Sequence, residues 1–131
     1  MKGESVNDYQ EALDQLDEMK PNMMSRKLKV KYLTEIEQLI YDEIVLKHVQ
    51  AEEPAGKPVY TEDSDPGTVL IIPDPYSSVY LYWLMTNIDI QNQEDARYNI
   101  DRQHFENAYD TMSDWYTREH MPKQMTREFR L

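Results

Sequence analysis

Between Pro75 and Pro122 the chain contains neither glycine nor proline, so helix can continue through most of this long stretch. The same stretch holds six of the ten tyrosines, both tryptophans and one of the two phenylalanines. Its apolar side chains are therefore bulky, and many carry a polar group at the tip. Such residues suit a helical core whose flanks also serve as a contact surface.

This stretch is predicted to form two helical arms. Residues 79–85 are apolar on all sides, which is typical of a helix enclosed by its neighbours. The pattern fades over 87–93, and a new stripe at helical spacing then follows, made of Tyr98, Phe105, Tyr109, Met112 and Tyr116. A single helix would be far longer than usual. We therefore predict an αα-hairpin with a turn near Ile90 to Gln93, in which Asp74-Pro75 starts the first arm.

Two amphipathic helices are predicted upstream. The first begins near Asn7 or Asp8, either of which can cap it, and ends at Lys20-Pro21-Asn22. The second begins at the Ser25 cap and reaches about His48. Its apolar stripe is Leu33, Ile36, Ile40 and Ile44, and the acidic residues Glu35, Glu37, Asp42 and Glu43 are expected mostly off that stripe.

Proline and glycine are frequent between Ala51 and Pro73, which rules out a long helix there. Two β-branched runs flank a polar loop and predict a β-hairpin at about 58–72. The predicted fold is thus mainly α, a four-helix antiparallel arrangement with one β-hairpin between the second and third helices. We expect a single helical domain over 1–119 and a C-terminal tail over 120–131.

The chain has no cysteine and a formal net charge of -11. The first property excludes disulfides and thiolate chemistry, and the second argues against general nucleic-acid binding. No apolar run is long enough for a membrane span, and the N-terminus lacks the apolar core of a signal peptide. We therefore expect a protein of the cytoplasm in which it is made, with no membrane partner.

Motifs for catalysis or cofactor binding are weak. Asp101 and His104 have the spacing of half a di-metal bundle site, but no second pair accompanies them, so an exposed pair is the expected arrangement. Asp63-Ser64-Asp65 opens like a calcium loop, yet Thr68 replaces the required glycine. No G-x-S-x-G motif or phosphate-binding glycine loop is present. We predict no enzyme activity, no cofactor, no metal and no small-molecule substrate.

The aromatic and basic residues are the candidate contact sites. Trp83, Leu84 and Phe105 are expected in the core, whereas some tyrosines should face another subunit. Two basic groups, at 26–31 and near the C-terminus, either dock on acidic partners or are solvated. The predicted contact residues are Tyr80, Tyr82, Tyr116, Arg118, Arg127 and Arg130.

The order of residues resembles a family of small proteins encoded among the capsid genes of tailed phages and prophages of Gram-positive bacteria. The resemblance is carried by PYSSVYLYWLMTNID at 75–89, HFENAYDTMSDWY at 104–116 and REHMP at 118–122, with RYN between the first two. An earlier string, at 16–45, resembles the amino-terminal part of the same proteins and includes their K-P-N break. The basic stretch at 26–31 departs from the acidic helix start expected of the family.

In size and helical architecture the family looks like head–tail connector proteins, also called head-completion or adaptor proteins. The resemblance implies a virion structural protein that forms a ring of its own copies and contacts the portal protein and a further neck or tail protein. It implies a location in the host cytoplasm during assembly and then in the virion. The alternative is an acidic DNA mimic that binds a host nucleic-acid-binding protein. A third possibility is a small metal-carboxylate enzyme.

Overall fold

The computed structural model describes residues 8–50 and 56–123, and it is mainly α-helical. Its four helices are α1 (Tyr9–Met19), α2 (Arg26–Glu43), α3 (Ser78–Gln91) and α4 (Asp95–Glu119). A short 3-10 turn (Val45–Lys47) follows α2. Across these described residues, no helix combines the length and apolar character needed to span a bilayer.

Helix α1 begins where the sequence predicts. The Asp8 carboxylate accepts a hydrogen bond from the Glu11 backbone N–H (2.8 Å), and the Glu11 carboxylate accepts one from the Asp8 N–H (3.2 Å). This reciprocal capping box satisfies two donors that a helix start leaves unpaired. Lys20, just before Pro21, is the C-cap, which confirms the predicted end.

Helix α2 has the predicted start and an earlier end. The Ser25 hydroxyl accepts a hydrogen bond from the Leu28 N–H (3.2 Å), which confirms Ser25 as the cap. The α-helix ends at Glu43, not near His48 as predicted. Beyond it, the His48 Nδ1 atom hydrogen-bonds the Ile44 carbonyl (2.6 Å), so this imidazole occupies an acceptor that a longer helix would have used.

Helices α3 and α4 form the predicted αα-hairpin. Residues 92–94 connect them, and Gln93 has a φ of 58°, in the left-handed region. The Glu94 N–H donates to the Asp89 carbonyl (2.9 Å) and thereby closes the turn. The predicted start at Asp74-Pro75 is wrong, because a turn closed by the Tyr76 N–H and the Pro73 carbonyl (3.0 Å) comes first, and α3 begins at Ser78.

The core lies between these helices. Its larger part joins α1, α2 and the α3–α4 hairpin, and contains Tyr9, Leu33, Ile36, Ile40, Ile72, Val79, Tyr80, Phe105, Met112 and Tyr116. A second part gathers Leu16, Met24, Leu81, Leu84 and Ile88. Leu84 and Phe105 are buried as predicted, and Trp83 is half-buried against both parts.

The β-hairpin predicted at 58–72 does not form: the described residues contain no β-strand. Instead, each half of this segment hydrogen-bonds to helices. The Tyr60 N–H donates to the Thr34 hydroxyl (3.1 Å), and the Pro58 carbonyl accepts from the Gln38 amide (3.0 Å). The second half forms an isolated bridge between Val69 and Asp8, in which the Thr68 carbonyl accepts from the Tyr9 N–H (2.8 Å), and the Pro66 carbonyl accepts from the Gln10 N–H (3.1 Å). Helix side chains and the start of α1 therefore replace the partner strand.

The predicted C-terminal tail, 120–131, lies mostly outside the described residues, which end at Lys123. Its first residues are attached to the end of α2. The Val49 N–H donates to the Met121 carbonyl (2.7 Å), and His48 forms an isolated bridge with Pro122. This contact brings the end of α4 beside the 3-10 turn.

Candidate functional site

A buried carboxylate, that of Glu37, joins α2 to α3 and to the 56–73 segment. Its Oε1 atom accepts a hydrogen bond from the Tyr80 hydroxyl (2.5 Å). Its Oε2 atom accepts two more, from the Tyr60 hydroxyl (2.8 Å) and the Ile71 backbone N–H (3.0 Å). The Tyr80 hydroxyl in turn accepts from the Ile72 N–H (2.9 Å). We call these five residues the Glu37 cluster.

The carboxylate of the Glu37 cluster is closed to solvent. The Glu37 side chain is fully buried, and burial raises its pKa despite the hydrogen bonds, which act in the opposite direction. Burial and the adjacent carboxylate raise the pKa of Tyr60 and of Tyr80 as well. All three groups that donate hydrogen bonds to Glu37 come from the same chain. This arrangement braces the fold and leaves no open side for a substrate.

A second buried cluster lies where the end of α1 meets the α3–α4 turn. The Lys20 ammonium is 2.6 Å from Asp89 Oδ1 and 3.6 Å from Glu94 Oε1. Asp89 is fully buried, and Asp101 beside it is 3% exposed. The Asp101 Oδ2 atom has no hydrogen-bond donor among the described residues. We call Lys20, Asp89 and Asp101 the Lys20 cluster: the ammonium group pairs with Asp89, and Asp89 neighbours the Asp101 carboxyl.

The Asp101 carboxyl should make stability depend on pH. Burial, and secondly the neighbouring Asp89, raise its pKa from 3.8 to about 6. The folded protein therefore binds more protons than the unfolded chain between about pH 4 and about pH 6, and the free energy of unfolding falls as pH rises through this window. The full loss is roughly 3 kcal/mol for a shift of this size.

An Asp101→Asn variant should lack this loss, because its amide is neutral at every pH and still donates to Asp89. At about pH 7.5 we expect the free energy of unfolding of the variant to exceed that of the wild type by roughly 2–3 kcal/mol. At about pH 4 the two free energies should lie closer together. Urea unfolding followed by circular dichroism at both values measures this. Parallel pH profiles for the two proteins would contradict the assignment.

The surface between α3 and α4 carries an aromatic cleft. Tyr82 and His104 stack with ring centroids 5.1 Å apart, and Tyr76 stacks on Trp115 at 4.7 Å. The cleft has a volume of about 230 Å³; Tyr76, Tyr82 and His104 line it together with Pro75 and Ala108, and Trp115 adjoins it through its stack on Tyr76. His104 is exposed and the other three rings are half-buried. Stacked, partly exposed rings of this kind are common at protein–protein contacts.

The predicted contact residues fall in different places. Tyr82 lines the aromatic cleft, and Arg118 is exposed on α4. Tyr80, which we expected to face another subunit, is instead 1% exposed and belongs to the Glu37 cluster. Tyr116 is also buried, and its hydroxyl donates to the Gln50 amide oxygen (3.1 Å). Arg127 and Arg130 lie outside the described residues.

Asp101 and His104 do not meet as a pair. Asp101 belongs to the Lys20 cluster, whereas His104 stacks on Tyr82 at the surface. Within 8–50 and 56–123, no group of three or more potential ligands is arranged to hold a metal ion. In the Lys20 cluster the ammonium group occupies the place that a cation would take.

Sequence reasoning missed Glu37, which was expected off the apolar stripe, and it missed Asp89. A signal for Glu37 was present: it lies four residues after Leu33 and three before Ile40, so all three share one helix face. Asp89 directly follows Ile88 near the end of a helix that is otherwise apolar. A charge on such a face is buried only when it is paired.

Comparison with known proteins gives no family assignment: no family model, curated protein or solved structure matches the chain significantly.

Proposed function

We propose that the protein is a structural subunit of a phage or prophage virion, a head–tail connector or adaptor that assembles as a ring at the portal and catalyses no reaction. The observation that carries the proposal is the aromatic cleft between α3 and α4. Four aromatic rings in two stacks at a surface supply large contact area with little loss of side-chain freedom, which suits recognition of another protein.

The arrangement of the buried polar groups supports an assembly role. Glu37 receives three hydrogen bonds from inside the chain, and Lys20 neutralises Asp89. Both clusters tie separate helices together. A rigid subunit presents its surface to a partner with little cost of ordering, which favours binding.

The resemblance to capsid-region phage proteins supplies the biological setting of the proposal. The residues that carry it include Tyr82 and His104, both of which line the aromatic cleft. We therefore place the contact with the portal, or with the next neck protein, at this cleft. The protein would reside in the host cytoplasm during assembly and in the virion afterwards.

Binding to the portal of the same phage tests the proposal. Wild-type protein should co-sediment with portal rings, and the double variant Tyr82→Ala/His104→Ala should bind at least about tenfold more weakly, since interface aromatics are frequent hot spots. Stability of the variant should fall by no more than about 2 kcal/mol, because His104 is exposed and Tyr82 is half-buried. The measurement is co-sedimentation over a range of protein concentrations.

Tyr98→Ala is the matched control, because Tyr98 is a half-buried tyrosine of α4 that lies outside the cleft and whose hydroxyl accepts a hydrogen bond from Arg102. It should bind the portal like wild type. Failure of the wild-type protein to associate with portal rings would refute the connector role. Salt-sensitive binding to a host nuclease or repressor would instead favour the DNA-mimic alternative, which the net charge of -11 fits.

A further inference from the structure

A groove runs along the outer side of α2 and shares Tyr60 with the Glu37 cluster. One wall carries a row of exposed charges, Lys27, Lys31 and Glu35, at intervals of four residues. Successive members of such a row stand about 6 Å apart along a helix. Leu28, Val30 and Tyr60 also line the groove, Thr61 and Glu62 form part of its other wall, and its volume is about 610 Å³.

A second row of charges lies on α4. It consists of Asp110, Asp114 and Arg118, again four residues apart and exposed. Helix α4 buries Phe105, Met112 and Tyr116 on its other side, so this row points away from the core. No member of either row forms an ion pair with another of the described residues.

The charges of the two rows are complementary when the two helices run in the same direction. The α2 row reads positive, positive, negative, and the α4 row reads negative, negative, positive. A parallel alignment opposes unlike charges at all three positions. An antiparallel alignment of the same rows would oppose Lys27 to Arg118 and Glu35 to Asp110, which are both repulsive. Arg102 and Glu106, further up α4, are already paired with each other (3.1 Å).

We propose that the α2 row of one copy binds the α4 row of a second copy in parallel, with Lys27 facing Asp110, Lys31 facing Asp114 and Glu35 facing Arg118. The rows share no residue, so the contact is heterologous: each copy offers one row to each of two neighbours. Contacts of this type produce a closed ring when the rotation closes and a filament when it does not.

Two exposed apolar side chains extend the contact. Met121, three residues after Arg118, is 61% exposed. Val59 is 67% exposed. Its neighbour Pro58 is bonded to the Gln38 amide, and Gln38 lies three residues after Glu35 on α2. The parallel register therefore brings Met121 of one copy towards Val59 of the other. Exposed ion pairs contribute little individually and are screened by salt, so the association should be weak and favoured by low salt.

This contact specifies how the proposed ring subunit meets its own copies, and in that respect it rests on the proposed function. Its test needs no portal protein. Loss of portal binding with intact self-association would refute only the connector role, and the opposite result would refute only this contact.

Charge reversal of each row tests the contact. Sedimentation velocity at low salt should show concentration-dependent association of the wild type. Lys27→Glu/Lys31→Glu makes both rows predominantly acidic, and Asp110→Lys/Asp114→Lys makes both predominantly basic. Each variant alone should lose at least about tenfold in association constant, because like charges now oppose each other. An equimolar mixture should regain association, since each altered row then meets a complementary row on the other variant.

Lys47→Glu/Lys123→Glu is the matched control, because both lysines are exposed, lie outside the groove and give the same change in net charge. It should associate like wild type. Wild-type protein that stays monomeric at low salt would overturn the proposal, and so would two folded variants whose mixture fails to associate. Circular dichroism verifies that each variant folds. If Lys27→Glu/Lys31→Glu does not fold, Lys27→Gln/Lys31→Gln replaces it, and this variant should associate more weakly than wild type.

Discussion

Glu37→Ala is expected to lower the free energy of unfolding by about 3–5 kcal/mol, one of the two largest effects of any single substitution considered for this protein. The substitution removes the acceptor of three buried donors: the hydroxyls of Tyr60 and Tyr80 and the N–H of Ile71. A buried donor left unpaired costs about 1–3 kcal/mol. The shortened side chain also leaves a cavity among α2, α3 and the 56–73 segment.

Urea unfolding measures the effect of Glu37→Ala, and Glu35→Ala is its control. Glu35 is the same residue type two positions earlier on α2, and it is exposed. Its removal should change stability by less than about 0.5 kcal/mol. Glu37→Gln should fall between the two, because the amide oxygen still accepts hydrogen bonds. A loss below about 1 kcal/mol for Glu37→Ala would show that the Glu37 cluster does not brace the fold.

Lys20→Ala should destabilise the protein by a similar amount, about 3–5 kcal/mol near neutral pH. Without the ammonium group, Asp89 loses the cation that stands 2.6 Å from it and remains buried beside Asp101. The penalty should decrease as the pH falls, because protonation of Asp101, whose pKa is raised to about 6, then removes one of the two buried charges. Thermal unfolding at about pH 7.5 and about pH 5 should therefore show a larger difference from wild type at the higher pH.

Lys47→Ala serves as control for Lys20→Ala, since Lys47 is exposed and should tolerate the same truncation. The double variant Lys20→Ala/Asp89→Asn should recover part of the lost stability by removing one buried charge. An equal loss at both pH values would mean that Lys20 contributes through packing of its aliphatic chain and not through its charge.

Sequence information located the starts of α1 and α2, the end of α1 and the α3–α4 turn, but not the end of α2, where His48 bonds the Ile44 carbonyl. Asp8 and Ser25 cap α1 and α2 because their side chains accept hydrogen bonds from the backbone three residues on. The end of α1 follows from Pro21, and the α3–α4 turn follows from the loss of apolar periodicity after residue 86. These signals act within a few residues and need no knowledge of the rest of the fold.

The 56–73 segment was predicted wrongly because its pairing partners are distant in sequence. Its β-branched residues favour extended backbone, which is what β-propensity measures, but propensity does not say what the backbone bonds to. Thr34, Gln38 and Glu37 bond to it from α2, and these pairs are 20 to 34 residues apart along the chain. The burial of Glu37 and Tyr80 was missed for the same reason, since each is buried with the other as its hydrogen-bond partner and the two are distant in sequence.

The 56–73 segment buries the side chains of Leu70 and Ile72 and packs Tyr60 and Ile71 against the core, and its remaining attachments leave the exposed side chains free. The groups that hold it are mostly main-chain atoms: the carbonyls of Pro58, Thr61, Pro66 and Thr68 and the N–H groups of Tyr60, Ile71 and Ile72. A main-chain atom is the same whatever residue carries it. Exposed positions such as Glu62 and Asp63 can therefore be substituted, or can carry a grafted peptide. The hydrogen bonds between the helices and the backbone of the segment should remain the same.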